Sequence, residues 1–593
     1  RVIWKKKIPK LNNYGIFYDE TYKDDPLNPA YNQVHIPGAN ARSTNFVVAQ
    51  DKIYVIQKDS CLVLDPATGE TSDEIFLPLD KKTGQPQEWG YIGVYKDYLI
   101  AGAGFVSYVD FLDIDPKLTS NAKSFLNYDI TSSKGLVIMD RHTGKVLWTR
   151  DSSLGFRHNA IAVGADKLFC IDMPPPTVSD TLKRRGEKPL GTPKLMALDL
   201  QRGKMLWETT ENVFGTWLSY SEKYDILIQA TRKSRDMLTA EPDKCMATYK
   251  GENGTPLWNN DATYGGPIML HSDRIITDQY AYNILTGKKE MRIDPLTGES
   301  KPWEFKRNYG CNYAIASEHL LTFRSAAAGF FDLDSDGGTG NFGGFKSGCT
   351  SNLIAANGVL NAPDYTRTCS CSYQNQASLA MVYTPDVEIW TDYSGEIGDG
   401  PIKTVGINFG AIGDRRANNG TLWLEYPIVG GPSPEVAVTI NPKDCERFIK
   451  HSSKIYQDAR LGSEIVPAWV VSSGIKGVSS LNIKLSGKST NDSAQERPYT
   501  VRLFFSEPDD IKISQRRFDI TIQERKILED FDIIRESGGQ DCPIVREFKG
   551  IIAKDDLKMD FAPSKNSNKA PLICGIEIIA ENIPYHEIKN TIY

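Results

Sequence analysis

Short apolar strands broken by polar turns recur along the first two-thirds of the chain. The pattern is clearest at 135–148, GLVIMDRHTGKVLW, where an apolar run meets Asp-x-x-Thr-Gly and a second short strand ends on Trp148. Gly144 can take the positive φ that such a turn needs, and Asp140 can bond back to its own backbone. The same hairpin returns as CLVLDPATGE (61–70), LMALDLQRGKMLW (195–207) and CMATYKGENGTPLW (245–258). Looser copies stand at 280–290 and 379–390, and VIWKKKIP (2–9) reads as the tail of one more. Between them lie β-branched runs such as DKIYVIQ (51–57) and DKLFCID (166–172). A period of about 50 residues carrying about four short strands predicts the blades of a β-propeller. A four-stranded sheet cannot bury both faces alone, so successive sheets must stack. Six or seven hairpins plus the Trp4 strand predict seven or eight blades over 1–395.

The texture changes twice. Residues 308–376 are rich in glycine, asparagine and small side chains, and TDYSGEIGDGPIK (391–403) reads as a linker. Beyond it, long alternating strands such as PYTVRLFFSEP (498–508) and ICGIEIIAENI (573–583) predict a β-sandwich over 396–593. The expected fold is therefore all-β: a propeller followed by a sandwich. Two insertions lengthen propeller connections, 103–135 and the Pro-rich, basic PPPTVSDTLKRRGEKPLGTP (174–193), which is expected to be a solvated surface loop.

Charge narrows the partners. The net charge is −6 with basic residues scattered, so no basic stripe for nucleic acid and no polybasic membrane patch is present. No apolar run reaches the roughly 18 residues of a membrane span. The start at Arg1, without an apolar leader, is expected to be a processed or trimmed end.

Cysteines set the compartment. Ten are present, and four of them, Cys311, Cys349, Cys369 and Cys371, fall close together. Two disulfides stapling a loop-rich blade are favoured over buried thiols, with one more pair among Cys445, Cys542 and Cys574 in the sandwich. That places the protein outside the cytoplasm: periplasmic, on the cell surface or secreted.

Candidate chemistry is sparse. Asp332, Asp334 and Asp336 precede Gly337 as D-x-D-x-D-G, which can converge on calcium or form a solvated acidic turn. The EF-hand's closing glutamate is absent, since Gly343 holds that place. Gly338, Gly340 and Gly343 spell G-x-G-x-x-G, but an all-β setting voids that fingerprint. Neither C-x-x-C-H, H-E-x-x-H nor G-x-S-x-G occurs, and the seven histidines are scattered. In the sandwich, Trp423, Tyr426 and Trp469 can stack on a sugar or plug the ends of the core.

The hairpin D-x-x-T-G-K-x-x-W resembles the tryptophan-docking repeat of quinoprotein dehydrogenases. Their non-catalytic relatives, the outer-membrane assembly propellers and the PQQ-like repeat proteins of planctomycetes, share it, and 308–376 resembles the last blades of the planctomycete proteins. The resemblance implies that Trp148, Trp207, Trp258 and, more loosely, Trp390 pack between blades. Catalytic members also carry an adjacent Cys-Cys pair, which this chain lacks, so no bound quinone is expected. The sandwich's strand order is similar to that of malectin-like carbohydrate-binding domains. Together these imply a non-catalytic scaffold outside the cytoplasm, binding a protein partner or a glycan. The alternatives are an assembly subunit of a periplasmic redox complex and a PQQ-dependent dehydrogenase.

Overall fold

The computed structural model describes residues 3–6, 8, 45–108, 129–231, 244–308, 310, 312–345, 353–362, 379–382, 384, 388–393, 395, 397–429, 431, 433–456, 466–487 and 496–581. The chain forms two compact units, the first made mainly of Arg1–Lys288 and the second mainly of Lys289–Tyr593. Among the described residues no helix is long and apolar enough to cross a membrane.

The first unit is a succession of antiparallel meanders. Phe46–Val48, Ile53–Gln57, Ser60–Leu64 and Thr71–Phe76 form one four-stranded sheet in chain order, and Trp217–Ser221, Ile226–Ala230, Lys244–Lys250 and Pro256–Thr263 form another. Between them a seven-stranded sheet runs from Trp89 to Thr209. Two blades are fused there by the 19-residue strand Val146–Gly164. Its first half pairs with Asp129–Asp140 and its second with Lys167–Asp172, the register breaking between Phe156 and Ile161. Buried Asp172 satisfies the backbone near that break, its carboxylate accepting from the amides of Ser153, Leu154 and Gly155 at 2.7, 2.8 and 2.7 Å.

The cores lie between blades. Leu195 and Ala197 of one sheet pack with Leu218, Leu227 and Ala247 of the next, and Ile226 and Ile228 with Ile275 and Tyr282 of the one after. Neighbouring sheets thus supply the apolar partner that an isolated meander lacks. The expected surface loop at 174–193 is corrected: Pro176–Arg185 is a helix. Pro opens it, Gly186 closes it at φ 70°, and Val178 and Leu182, four apart on one face, pack on Val106 and Tyr108.

The second unit begins with blade-like sheets and continues into the sandwich. The expected division at 395/396 is not where the compact units part. Strand Thr391–Asp392 closes a five-stranded sheet by pairing with Thr339–Asn341, and Thr391 also bridges to Asp414 at the start of the sandwich. One sandwich sheet runs in the order Arg415–Arg416, Leu422–Tyr426, Thr404–Phe409, Gly575–Ala580, Arg497–Phe505, Ile544–Ala553. The other runs Val438–Asn441, Ser480–Lys484, Asp556–Pro563, Arg517–Ile522, Arg525–Asp532. Val405, Ile407, Leu503, Ile576 and Ile578 alternate inward from the first and meet Leu481, Ile483, Ile520, Leu557 and Met559 in one core. The architecture is all-β, with propeller-type blades and a β-sandwich.

Candidate functional site

The recurring turn has one geometry. In Asp65–Gly69, Asp140–Gly144, Asp199–Gly203 and Asn283–Gly287, the Gly amide donates to the first residue's carbonyl at 2.8–2.9 Å, and the first side chain accepts from amides two or three residues on. Each turn's glycine is left-handed, as is Gly254 of the turn Lys250–Gly254, and at all of them but Gly144 an indole lies where the Cβ would be. Trp4 covers Gly69, Trp148 covers Gly203, Trp207 covers Gly254 and Trp258 covers Gly287, all within 2.6 Å of a built Cβ. Each indole N–H also donates into the turn it covers: Trp4 to Pro66, Trp148 to Leu200, Trp207 to Gly251 and Trp258 to Ile284, at 2.8–3.0 Å. These residues lock hairpin to hairpin. At Gly144 the place is filled by Ile75 instead, at 3.3 Å.

Trp390 departs from this set and corrects the expectation placed on it. It packs edge-on against Trp469, at 6.1 Å between ring centroids, and covers no repeat turn. Trp469, carried by the short helix Ala468–Val471, also meets Trp423 edge-on at 5.9 Å. Trp423 belongs to the apolar core of the sandwich, edge-on to Phe504 at 5.2 Å, and Trp469 packs against that core from outside. Gly406 makes room, as any Cβ there would fall 2.2 Å from the Trp423 ring. Trp423 is 1% exposed, so it backs the cluster and cannot be a sugar platform. Tyr426 lies apart from the three, against Phe409 at 5.9 Å. Trp469 is half-buried, and the Arg415 guanidinium stacks over it at 4.8 Å.

The polar atoms around these rings are poorly satisfied. The indole N–H groups of Trp390 and Trp423 are buried with no hydrogen-bond partner among the described residues. Arg415 has no carboxylate within ion-pair distance there; burial draws its pKa down, and Glu388 acts on it only through space. Glu388 itself accepts from the Ser452 amide at the start of a short 3-10 turn. The site is thus an aromatic surface with surplus donors and one nearby acceptor. It can hold a ligand with an apolar face and oxygens at its rim.

Behind Arg415 lies an acidic pocket that the sequence did not signal. Asp414 is fully buried and accepts from the amides of Tyr393 and Glu425 at 2.9 and 3.1 Å. Asp392 and Glu425 stand near it, and Asp392 Oδ1 has no hydrogen-bond partner among the described residues. Burial pushes both Asp392 and Asp414 up to about 6; the neighbouring carboxylates add to it at Asp392, whereas at Asp414 hydrogen bonds from Ser433, Tyr393 and Glu425 oppose it.

The residues named for calcium form a degenerate copy of the propeller turn. Asp332 Oδ1 accepts from the amides of Asp334 and Ser335 at 2.9 and 3.3 Å, and Asp336 takes the glycine's place at φ 48°. The carboxylates then part: Asp334 pairs with His319 at 2.9 Å, and Asp336 with Arg292 at 3.0 Å and Arg416 at 3.7 Å. Among the described residues no group of three or more His, Cys, Asp or Glu could hold a metal ion. The pair expected among Cys445, Cys542 and Cys574 is not formed, and all three are thiols. Cys574 is sealed in the core toward the Val471 and Ser506 carbonyls, whereas Cys445 turns its Sγ to the Pro442 carbonyl at 3.1 Å. Cys311, Cys349, Cys369 and Cys371 lie outside the described residues.

Comparison with known proteins bears on this half of the chain. A Malectin domain model matches residues 491–577. The sandwich therefore carries a Malectin domain. A probable receptor-like protein kinase of Arabidopsis thaliana is 30% identical over 95 residues, which are 14% of this chain and 12% of that protein. The match thus covers about an eighth of that relative's length. Among solved structures, BamB from Moraxella catarrhalis aligns with 57% of this chain and 81% of its own, at 12% identity and TM-score 0.32. The ANX1 ectodomain from Arabidopsis thaliana aligns with 38% of this chain and 66% of its own, at 14% identity and TM-score 0.25.

Proposed function

We propose that this is a non-catalytic binding protein acting outside the cytoplasm, whose Malectin-containing sandwich takes a glycan on Trp469 and Arg415. The observation that carries the reading is the Arg415 guanidinium, without an ion pair among the described residues, stacked on a half-buried indole beside Glu388. A sugar's C–H face would meet Trp469, and its hydroxyls would accept from Arg415 and donate to Glu388. Trp423 and Trp390 hold the platform in place. The propeller-type blades serve as a scaffold for a protein partner. Their turn-and-tryptophan repeat is read as PQQ-like without the quinone, since the chain has no Cys-Cys pair. No reaction step is assigned to either unit.

A glycan array probed with the intact chain tests this. Binding is expected, with Trp469→Ala and Arg415→Gln losing it while their unfolding curves stay close to the parent's. No glycan bound, together with a fixed protein co-purifying under native conditions, would replace this reading with an assembly subunit. Turnover of an alcohol with a dye acceptor, after loading with quinone and calcium, would overturn the non-catalytic assignment.

A further inference from the structure

The turn beside the aromatic platform carries a histidine, His451, in extended conformation at φ −71° and ψ 138°. It caps the 3-10 turn Ser452–Lys454. The Ser453 amide donates to His451 Nδ1 at 3.2 Å, and the Ser453 hydroxyl lies 2.8 Å from the same nitrogen. A backbone N–H can only donate, so Nδ1 accepts and the neutral ring carries its proton on Nε2. The imidazole is 44% exposed, so solvent protons reach it.

The same turn holds the platform's acceptor. The Ser452 amide donates to Glu388 Oε1, and that oxygen stands 4.0 Å from His451 Nδ1. The turn packs on the helix Ala468–Val471, which carries Trp469, and Ile455, just beyond it, joins the sandwich core with Val470. His451 and Trp469 are thus tied to one anchored stretch, and Glu388 is bonded to it.

Protonation turns both ring nitrogens into donors. Nδ1 can then no longer accept from the Ser453 amide, and the turn loses its cap. Glu388 is the only carboxylate within ion-pair distance of His451 among the described residues. An imidazolium so close draws that carboxylate to itself. The platform has surplus donors and one nearby acceptor, so the added proton takes what a sugar hydroxyl would need.

The remaining charged groups around the turn are otherwise engaged or must be separated by the test. Lys450 donates to Asp541 and to the Pro508 carbonyl, and Lys454 is a second cation at the end of the turn. The helix Ala468–Val471 has no titratable side chain. Arg415 acts on Glu388 through space. Asp392 and Asp414, behind Arg415, also lose charge toward acid.

We propose that His451 is a positioning residue that makes glycan binding at Trp469 and Arg415 proton-sensitive. Neutral, it caps the turn and leaves Glu388 to the sugar; protonated with a proton from solvent, it claims Glu388 and weakens binding. This rests on the glycan reading above.

The test probes the glycan array with the intact chain at about pH 8 and about pH 5, which bracket imidazole titration. The parent signal should fall about fivefold or more toward acid, the lower range of coupling between two sites. His451→Asn offers the Ser453 amide an acceptor but takes up no proton, so it should remove the fall. Asp392→Asn should leave the fall in place. A purely structural cap would instead be replaced by asparagine with the pH profile unchanged. Unfolding curves at both pH values establish that each variant is folded.

A second measurement needs no ligand and no variant. Long-range proton–nitrogen NMR should show the Nε2–H tautomer at the alkaline end. The Ser453 amide and the Glu388 carboxylate carbon should then shift in step with the ring as pH falls. Four results would each overturn the proposal: equal parent binding at both pH values, a parent-like fall in folded His451→Asn, an Nδ1–H ring at the alkaline end, or a Ser453 amide and Glu388 carboxylate indifferent to the ring. An array blank at both pH values would remove the glycan reading instead, and the NMR titration would still decide whether the proton moves Glu388.

Discussion

Two sets of tryptophans in this chain look alike in sequence and do different work. In the propeller-type blades, Trp4, Trp148, Trp207 and Trp258 each cap a glycine turn and place the indole N–H on a turn carbonyl. In the second unit, Trp390, Trp423 and Trp469 pack on one another, and two of their N–H groups find no partner among the described residues. An indole whose ring and N–H are both satisfied by its own fold is a fastener. One left with a buried, unmet donor beside a stacked cation costs stability unless something else is gained. The difference separates structural tryptophans from those worth testing for a ligand.

The comparison breaks most visibly on truncation. Trp207→Ala removes a ring lying on Gly254 and beside Phe169, together with its bond to Gly251, and should cost about 3 kcal/mol in urea unfolding, the lower end for buried aromatics because the ring is half-buried. Trp469→Ala should cost less in the same assay and lose glycan binding instead. Equal losses of stability from the two would erase the distinction.

The partner side of the fastener should respond next. Gly203 sits at φ 67° with the Trp148 ring 2.6 Å from a built Cβ. Gly203→Ala combines left-handed strain with displacement of that ring, and about 2 kcal/mol is expected from thermal melts. The same change at Gly186, also left-handed at φ 70° but with nothing within 4 Å, should cost only the strain, about 1 kcal/mol.

The acidic pocket behind Arg415 gives the second unit a pH signature that the fasteners lack. Asp392 and Asp414 titrate near 6 in the folded chain, above their ordinary 3.8. A raised carboxyl favours the folded state below the unfolded value and loses that contribution as pH rises through the folded one. Stability of this region should therefore fall between about pH 4 and pH 7, by about 1–2 kcal/mol after allowing for the half-exposure of Asp392. Asp294 and Asp509, held low by Lys301 and Lys476 against the opposing effect of burial, act in the opposite sense and weaken the unit only below that window. Amide exchange at Tyr393 and Glu425, whose N–H groups bond Asp414, would report the change, and Asp392→Asn should flatten it.

Much of this was legible in the sequence because it rests on local chemistry. Asp-x-x-Thr-Gly announces its own turn, and alternation announces the sandwich. Periodicity alone, however, did not reveal that Asp332–Asp336 is the same turn with aspartate in the glycine position, because three alternating carboxylates also spell a calcium loop. Nor did it reveal the turns Asp80–Gly84 and Asp294–Gly298, which have the same hydrogen bonds but no tryptophan four residues on. What stayed hidden is long-range. Trp390 reads as another docking residue until Trp469, far along the chain, is brought to it, and Arg415 has no motif at all. The Arg292 guanidinium lies 5.3 Å over the ring of Tyr393, about 100 residues later, a proximity that no window of sequence contains.

The smallest effect is also the sharpest version of the comparison. Phenylalanine keeps most of the indole's apolar area and deletes its N–H. Trp258→Phe breaks a 2.9 Å bond to the Ile284 carbonyl and leaves that acceptor unmet, so a loss of about 1 kcal/mol is expected beyond any change in packing. Trp390→Phe deletes a donor that already has no partner among the described residues, and should be neutral or slightly stabilising by the same measure. Both changes shrink the ring by a similar amount, so the packing term largely cancels in their difference. A loss at Trp390 as large as that at Trp258 would mean that its N–H is satisfied in solution, and the contrast between fasteners and platform would then rest on Arg415 alone.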